Sequence, residues 1–166
     1  MCFIGIITGN KSKKYINKII KGQIKEKNFE VIYITEKNVQ NMKNIRFDTI
    51  IINKKVEWLD ELQNNFINTK YVIINSDLEL DYFLLGNVRV ITYGFNSKST
   101  ITLSSNTEDS VQICVQRNIS GKKENIEQQE IYLCKNDTTD IYDIMLLICI
   151  LLLYNKSVIS LLKLWN

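Results

Sequence analysis

Gly9-Asn10-Lys11-Ser12 is the stretch of this chain best suited to chemistry. It lies between an apolar run that reads as a strand and a Lys-rich amphipathic segment that reads as a helix. Anions bind at such places, because the first N–H groups of a helix point outward without partners. A working phosphate loop curls successive N–H groups around the anion. It also sets a lysine on the outer phosphoryl oxygens and a Ser or Thr on magnesium. Lys11 and Ser12 match those last two positions, but a second glycine is missing and the loop is short. Read alone, an ordinary helix start with solvated lysines accounts for these residues better.

Other reactive groups narrow the chemistry further. The chain contains no histidine, which excludes Ser-His-Asp and Cys-His nucleophiles and any His-ligated zinc. Acid–base work would fall to Asp, Glu, Lys, Tyr or Cys. Cys2, Cys114, Cys134 and Cys149 form no C-x-x-C pair and lie in apolar runs, so they are expected to be buried, reduced thiols. Asp77, Glu79 and Asp81 could gather a cation, but acidic residues also favour a helix start. Lys11, Lys13, Lys14, Lys18, Lys21, Lys25 and Lys27 make the first helix basic, with only Tyr15 interleaved. With a net charge of only +3, that pattern reads as a solvated face, and no nucleic-acid partner is expected. Glu124–Glu130 reads as a solvated turn, and Trp58 and Trp165 as packing residues.

The elements that must position these groups follow from periodicity. Apolar runs at Cys2–Thr8, Phe29–Thr35, Phe47–Asn53, Tyr71–Asn75 and Val88–Gly94 read as buried strands. Helical patterns separate them at Lys11–Asn28, Glu57–Phe66 and Leu78–Leu85. This alternation predicts an α/β domain with a mainly parallel sheet covered on both faces, a three-layer Rossmann-like arrangement. In such sheets ligands bind beyond the carboxyl ends of the strands, here Thr8–Ser12, Thr35–Asn38, Asn53–Lys55 and Asn75–Asp77. After Gly94 the runs Ser99–Ser104, Ser110–Arg117 and Gln128–Cys134 alternate, which predicts an antiparallel meander that could extend the sheet. Polar turns are expected at Ser105–Asp109 and Ser120–Ile126. Thr138–Asn166 reads as helical, and the apolar run Ile144–Tyr154 falls short of the about 20 residues a bilayer span needs. The start of the chain lacks the basic segment of a signal peptide. The 166 residues are thus expected to form a single cytoplasmic domain.

Four segments, taken together, resemble one family. Ile6-Ile7-Thr8-Gly9-Asn10-Lys11-Ser12 looks like a shortened I-T-G-T-N-G-K-T of the Mur ligases. Asn53-Lys54-Lys55-Val56-Glu57-Trp58-Leu59-Asp60 resembles their N-I-x-x-[DE]-H-L-D, with Trp58 where the histidine stands. Val72-Ile73-Ile74-Asn75-Ser76-Asp77, followed by Val90-Ile91-Thr92-Tyr93-Gly94-Phe95-Asn96, is similar to their V-I-N-x-D-D and V-I-T-Y-G. Ile141-Tyr142-Asp143-Ile144-Met145-Leu146-Leu147 resembles the start of a late helix of the same family. The order is right, and the segments span nearly the whole chain.

The resemblance implies a P-loop-type domain of the kind that, in those ligases, binds ATP and Mg2+ and phosphorylates a carboxylate for attack by an amine. By that resemblance Gly9, Asn10, Lys11 and Ser12 would lie at the phosphates, with Ser12 on the metal. Asn53 would line the nucleotide site, and Asn75 and Asp77 would lie near the adenosine end. Glu57 would lie near a second metal. The family's magnesium-binding glutamate segment has no counterpart, since only Glu36–Arg46 joins the second and third strands. Neither flanking domain of the ligases is matched. The expectation is therefore a degenerate, non-catalytic binding or regulatory module that retains at most weak affinity for nucleotide or phosphate. It would act with a protein partner or a second copy of itself. The alternatives are an ATP-dependent ligase or ATPase completed by partner chains, and a purely structural interaction protein.

Overall fold

Isoleucine and valine crowd the first five apolar runs, and β-branched side chains favour strands. The computed structural model of the protein describes residues 2–24, 29–80, 88–134 and 140–158. The first half alternates as expected: β1 (Cys2–Ile7), α1 (Asn10–Gln23), β2 (Phe29–Tyr33), α2 (Val39–Met42) and β3 (Phe47–Ile52). A 3₁₀ turn, Leu59–Leu62, runs into α3 (Gln63–Ile67), followed by β4 (Tyr71–Asn75) and β5 (Arg89–Tyr93). The second half holds β6 (Ile101–Asn106), β7 (Ser110–Val115), β8 (Ile119–Ser120), β9 (Asn125–Ile126), β10 (Gln129–Cys134) and α4 (Ile141–Leu153).

The result is a mixed α/β fold on one eight-stranded sheet, ordered β10-β7-β6-β5-β4-β3-β1-β2. Strands β2, β1, β3, β4, β5 and β6 are parallel; beyond them β7 pairs antiparallel with β6, and β10 antiparallel with β7. β5 and β6 pair only at Tyr93 and Ile101, so β6 sets off where β5 ends. The chain steps from β1 outward to β2 and then to β3 on the other flank. The strand order therefore reverses at β1, and in open sheets of this kind the crevice for a ligand lies at the carboxyl ends beside such a reversal.

Each face of the sheet carries its own core. Ile4, Ile6, Ile51, Ile73 and Ile91 pack under α1 and α4. Ile7, Ile50, Ile52, Val72 and Ile74 pack under Leu59, Leu62 and Phe66 on the other face. In α4 every residue from Asp143 to Leu153 is buried, as an all-apolar helix requires. No helix among the described residues is long and apolar enough to cross a membrane.

Four expectations shift. α1 ends at Gln23, with Ile24 out of helical geometry at φ −98° and ψ 64°, and residues 25–28 lie outside the described ones. The helix expected over Leu78–Leu85 does not continue from its start. A 3₁₀ turn stops at Leu78, because Glu79 takes the left-handed conformation at φ 50°, and residues 81–87 lie outside the described ones. Within the expected polar turn over Ser120–Ile126, Ser120 pairs with Asn125, and Ile126 pairs with Ile119 just before the turn, forming the β8–β9 ladder. Cys134 is exposed, because alternation along β10 points it away from the core. The part of the expected tail helix after residue 158, with Trp165, also lies outside the described residues.

Opposite the crevice, at the amino edge of the sheet, the β8–β9 turn docks on the end of α4. The Lys122 N–H donates to Leu153 O at 2.9 Å, and the Lys123 N–H to Asn155 Oδ1 at 2.8 Å. Asn155 caps this end with φ 51°, a conformation that asparagine tolerates. Lys122 forms a close ion pair with Asp48, both largely buried, and lies over the Tyr154 ring at 4.0 Å.

Candidate functional site

Six segments meet at the carboxyl edge of the sheet. They are the turn after β1, the loops after β2, β3, β4 and β5, and the first turn of α4. Gly9 caps α1 with φ −76° and ψ 162°, extended values open to any residue. A Cβ there would meet nothing within 4 Å, so neither conformation nor crowding demands glycine. Asn10 and Lys11 are exposed, and Ser12 is half-buried.

The first turn of α1 contains no acidic residue, and α4 supplies one. Asp140 caps α4 by accepting from the Tyr142 N–H at 2.9 Å. Three residues on, Asp143 is only 3% exposed, beside Ser12 and within the field of Lys11. Burial pushes its carboxyl above the usual range. The neighbouring Ser12 hydroxyl lowers it, nearby Asp140 raises it again and Lys11 lowers it. A carboxylate is tolerated here because helix N-termini favour negative charge. The chain thus places its own anion where a phosphate loop would receive one.

Asn53 closes the crevice beside it. Its Nδ2 donates to Thr8 Oγ1 at 3.1 Å, and its Oδ1 accepts a very short hydrogen bond from the Tyr93 hydroxyl. Tyr93 is fully buried. Its phenol is held well above the ordinary range by burial first, and then by Cys149, Asp143, Tyr142 and Asp140. Three strand ends, those of β1, β3 and β5, are tied together in this way.

Asn75 and Asp77 form a third group. Asn75 Oδ1 accepts from the Asp77 N–H at 3.0 Å, capping the turn after β4. The Asp77 carboxylate accepts from the Phe95 N–H at 2.7 Å and from the Tyr142 hydroxyl at 3.1 Å. Phe95 and Tyr142 meet edge to face with ring centroids 4.9 Å apart. Burial, followed by the bond to Asp77, raises the Tyr142 phenol. Between these groups Gly94 adopts φ +153°, and a Cβ on it would come within 2.6 Å of Asp77 Oδ2 and 2.7 Å of Ser76 Oγ. Here glycine is required.

Glu57 lies further along the same edge. It is exposed and lines a shallow cleft of about 430 Å³ with Glu36, Lys54, Lys55, Val56 and Trp58, past the ends of β2 and β3. Trp58 packs against the core on that face. Among the described residues, no group of three or more Cys, Asp or Glu could hold a metal ion.

Gly9–Ser12, Asn53 and Asn75–Asp77 thus lie along the carboxyl edge, and Glu57 lies at the same edge in the separate cleft past β2 and β3. The side chains that bind this edge together are Tyr93, Tyr142 and Asp143, none of which was singled out as a site residue from sequence. A signal was present for Asp143: it is the one carboxylate within Ile141–Leu153, an otherwise apolar helical run. The chain matches no protein-family model and no curated protein sequence.

Proposed function

We propose that this protein is a non-catalytic binding or regulatory module built on a degenerate, Rossmann-like P-loop-type domain resembling the middle domain of Mur ligases. Its affinity for nucleotide or phosphate is at most weak. The observation that carries this reading is the Asp143 carboxylate beside Ser12 and Lys11. An incoming phosphate would meet a negative charge already buried there, and like charges at close range repel. The residues tied to ATP and Mg2+ by resemblance fit that group poorly. The Ser12 hydroxyl lies beside the Asp143 carboxylate, both ends of the Asn53 amide are bonded within the protein, and Glu57 lines a separate shallow cleft. No phosphoryl-transfer step is derived through them. With catalysis lost, the carboxyl-edge surface would serve a protein partner or a second copy of the chain.

The test is thermal unfolding with and without millimolar Mg–ATP, paired with a turnover assay and a Lys11→Ala variant. A ligand present at about 100 times its dissociation constant stabilises by about 2.7 kcal/mol, a rise of roughly 5–10 °C for a domain of this size. The expected result is a rise below about 2 °C and no turnover. Turnover that Lys11→Ala abolishes would overturn the reading in favour of an active ATP-dependent enzyme.

A further inference from the structure

At the amino edge the sheet has a gap. β5 is paired along its whole length with β4, but with β6 only at Tyr93. The flank of β5 over Arg89–Ile91 therefore faces no strand. The returning segment after β7 closes the far side of this gap, leaving a cleft of about 310 Å³. Arg89 and Val90 line one wall, Arg117, Asn118 and Ser120 the other, and Tyr71 the base. A second hollow, of about 340 Å³, continues from Tyr71 and Arg89 to Thr69 and Lys70.

The chemistry of these walls is one-sided. Among the described residues, no Asp or Glu lines either hollow. The nearby carboxylate, Asp48, is already taken by Lys122, with Lys70 at 3.9 Å. Arg89 is held in place: its guanidinium donates to the Tyr71 hydroxyl at 3.3 Å and lies 5.7 Å from that ring's centre. Arg89 and Arg117 are both exposed. The main chain adds a donor. The Arg89 N–H bonds Lys70 O on the β4 side, whereas the Thr92 N–H bonds Thr100 Oγ1 on the other. Peptide groups alternate in direction along a strand, so the Val90 N–H points into the cleft.

We propose that this gap is a binding site for a small, multiply charged oxyanion, a compound bearing phosphate or carboxylate groups. Arg89 and Arg117 provide planar forks that match such oxygens. Lys70 adds charge, and Asn118, Ser120 and the Val90 N–H add neutral donors. The site lies at the opposite edge of the sheet from Gly9–Ser12 and does not depend on the nucleotide reading.

Amide chemical shifts of the full chain would be followed while inorganic pyrophosphate is titrated at constant ionic strength, with citrate as a second arm. The expected result is saturable movement at Arg89–Ile91 and Arg117–Ser120. Arg117→Gln and Arg89→Gln should each weaken binding about tenfold or more, the typical cost of one charge-assisted hydrogen-bonding group. Lys98→Gln, which removes a charge from the loop between β5 and β6, should leave it unchanged. Saturation by pyrophosphate alone assigns a phosphate ligand, and by citrate alone a carboxylate. Movement that never saturates, that centres on Gly9–Ser12, or that Lys98→Gln weakens as much as Arg117→Gln would overturn the proposal.

Discussion

The carboxylate of Asp143 and the hydroxyl of Ser12 face each other between the first turns of α4 and α1. Two helix N-termini thus share one buried negative charge, and the behaviour of that charge with pH is testable. Burial holds the Asp143 carboxyl above the ordinary value of 3.8, so the folded protein binds this proton more tightly than the unfolded chain does. The resulting stability is present in full below about 3.8 and is lost as pH rises through the folded value. Asp143→Asn cannot titrate and keeps an oxygen for Ser12. Its melting temperature at neutral pH should equal or exceed the parent's by a few degrees, with the gap closing in acid. A variant that melts clearly lower at neutral pH would show that the ionised form stabilises the fold. The same substitution removes the negative charge beside Lys11 and should enlarge any thermal shift with Mg–ATP.

Tyr93→Phe tests the tie between strand ends. The change removes the hydroxyl that bonds Asn53 and leaves the ring packed. A loss of about 1–2 kcal/mol is expected, or roughly 2–8 °C. Asn53→Ala in the Tyr93→Phe background should then cost less than it does alone, as coupled pairs do. Strict additivity in this cycle would rule out the tie.

Gly94→Ala places a methyl group against Asp77 and Ser76 at a backbone angle that L-residues avoid. Strain of this kind costs about 1–3 kcal/mol. Urea unfolding should show a lower midpoint with little change in slope, and the loop carrying Phe95 should lose amide protection first.

Lys122→Met leaves Asp48 largely buried without its principal partner. Breaking such a pair from one side costs about 3–5 kcal/mol, whereas replacing both members by apolar residues costs little. The double variant Asp48→Leu/Lys122→Met should therefore be more stable than Lys122→Met. The opposite order would show that the pair itself drives folding.

Local pattern made the parallel half of the fold legible. β4 was read to the residue, and β1, β2, β3 and β5 to within one or two residues at either end. The pattern does not show where a single backbone angle decides, as at Glu79, or where two residues of a polar turn pair across it, as Ser120 and Asn125 do. The site was legible only as a position. Loop residues at strand ends announce an edge, and Gly9, Lys11 and Ser12 suggest an anion. That the anion is Asp143 depends on how α4 packs against α1, which no local spacing encodes. The gap beside β5 was equally hidden, because it arises from a strand that pairs at one residue instead of five.

The burial of α4 from Asp143 to Leu153 sets an order of events during synthesis. Ile4, Ile51, Ile73 and Ile91 belong to early strands, yet the helix that covers them is made long afterwards. Until residues 141–153 leave the ribosome, the part of this face that α1 does not cover stays bare and prone to stick to other apolar surfaces. The last assembly step joins segments far apart in the chain and pays a large loop-closure entropy. Folding should consequently be slow, gated by the arrival of α4, and helped by a chaperone that holds the uncovered face.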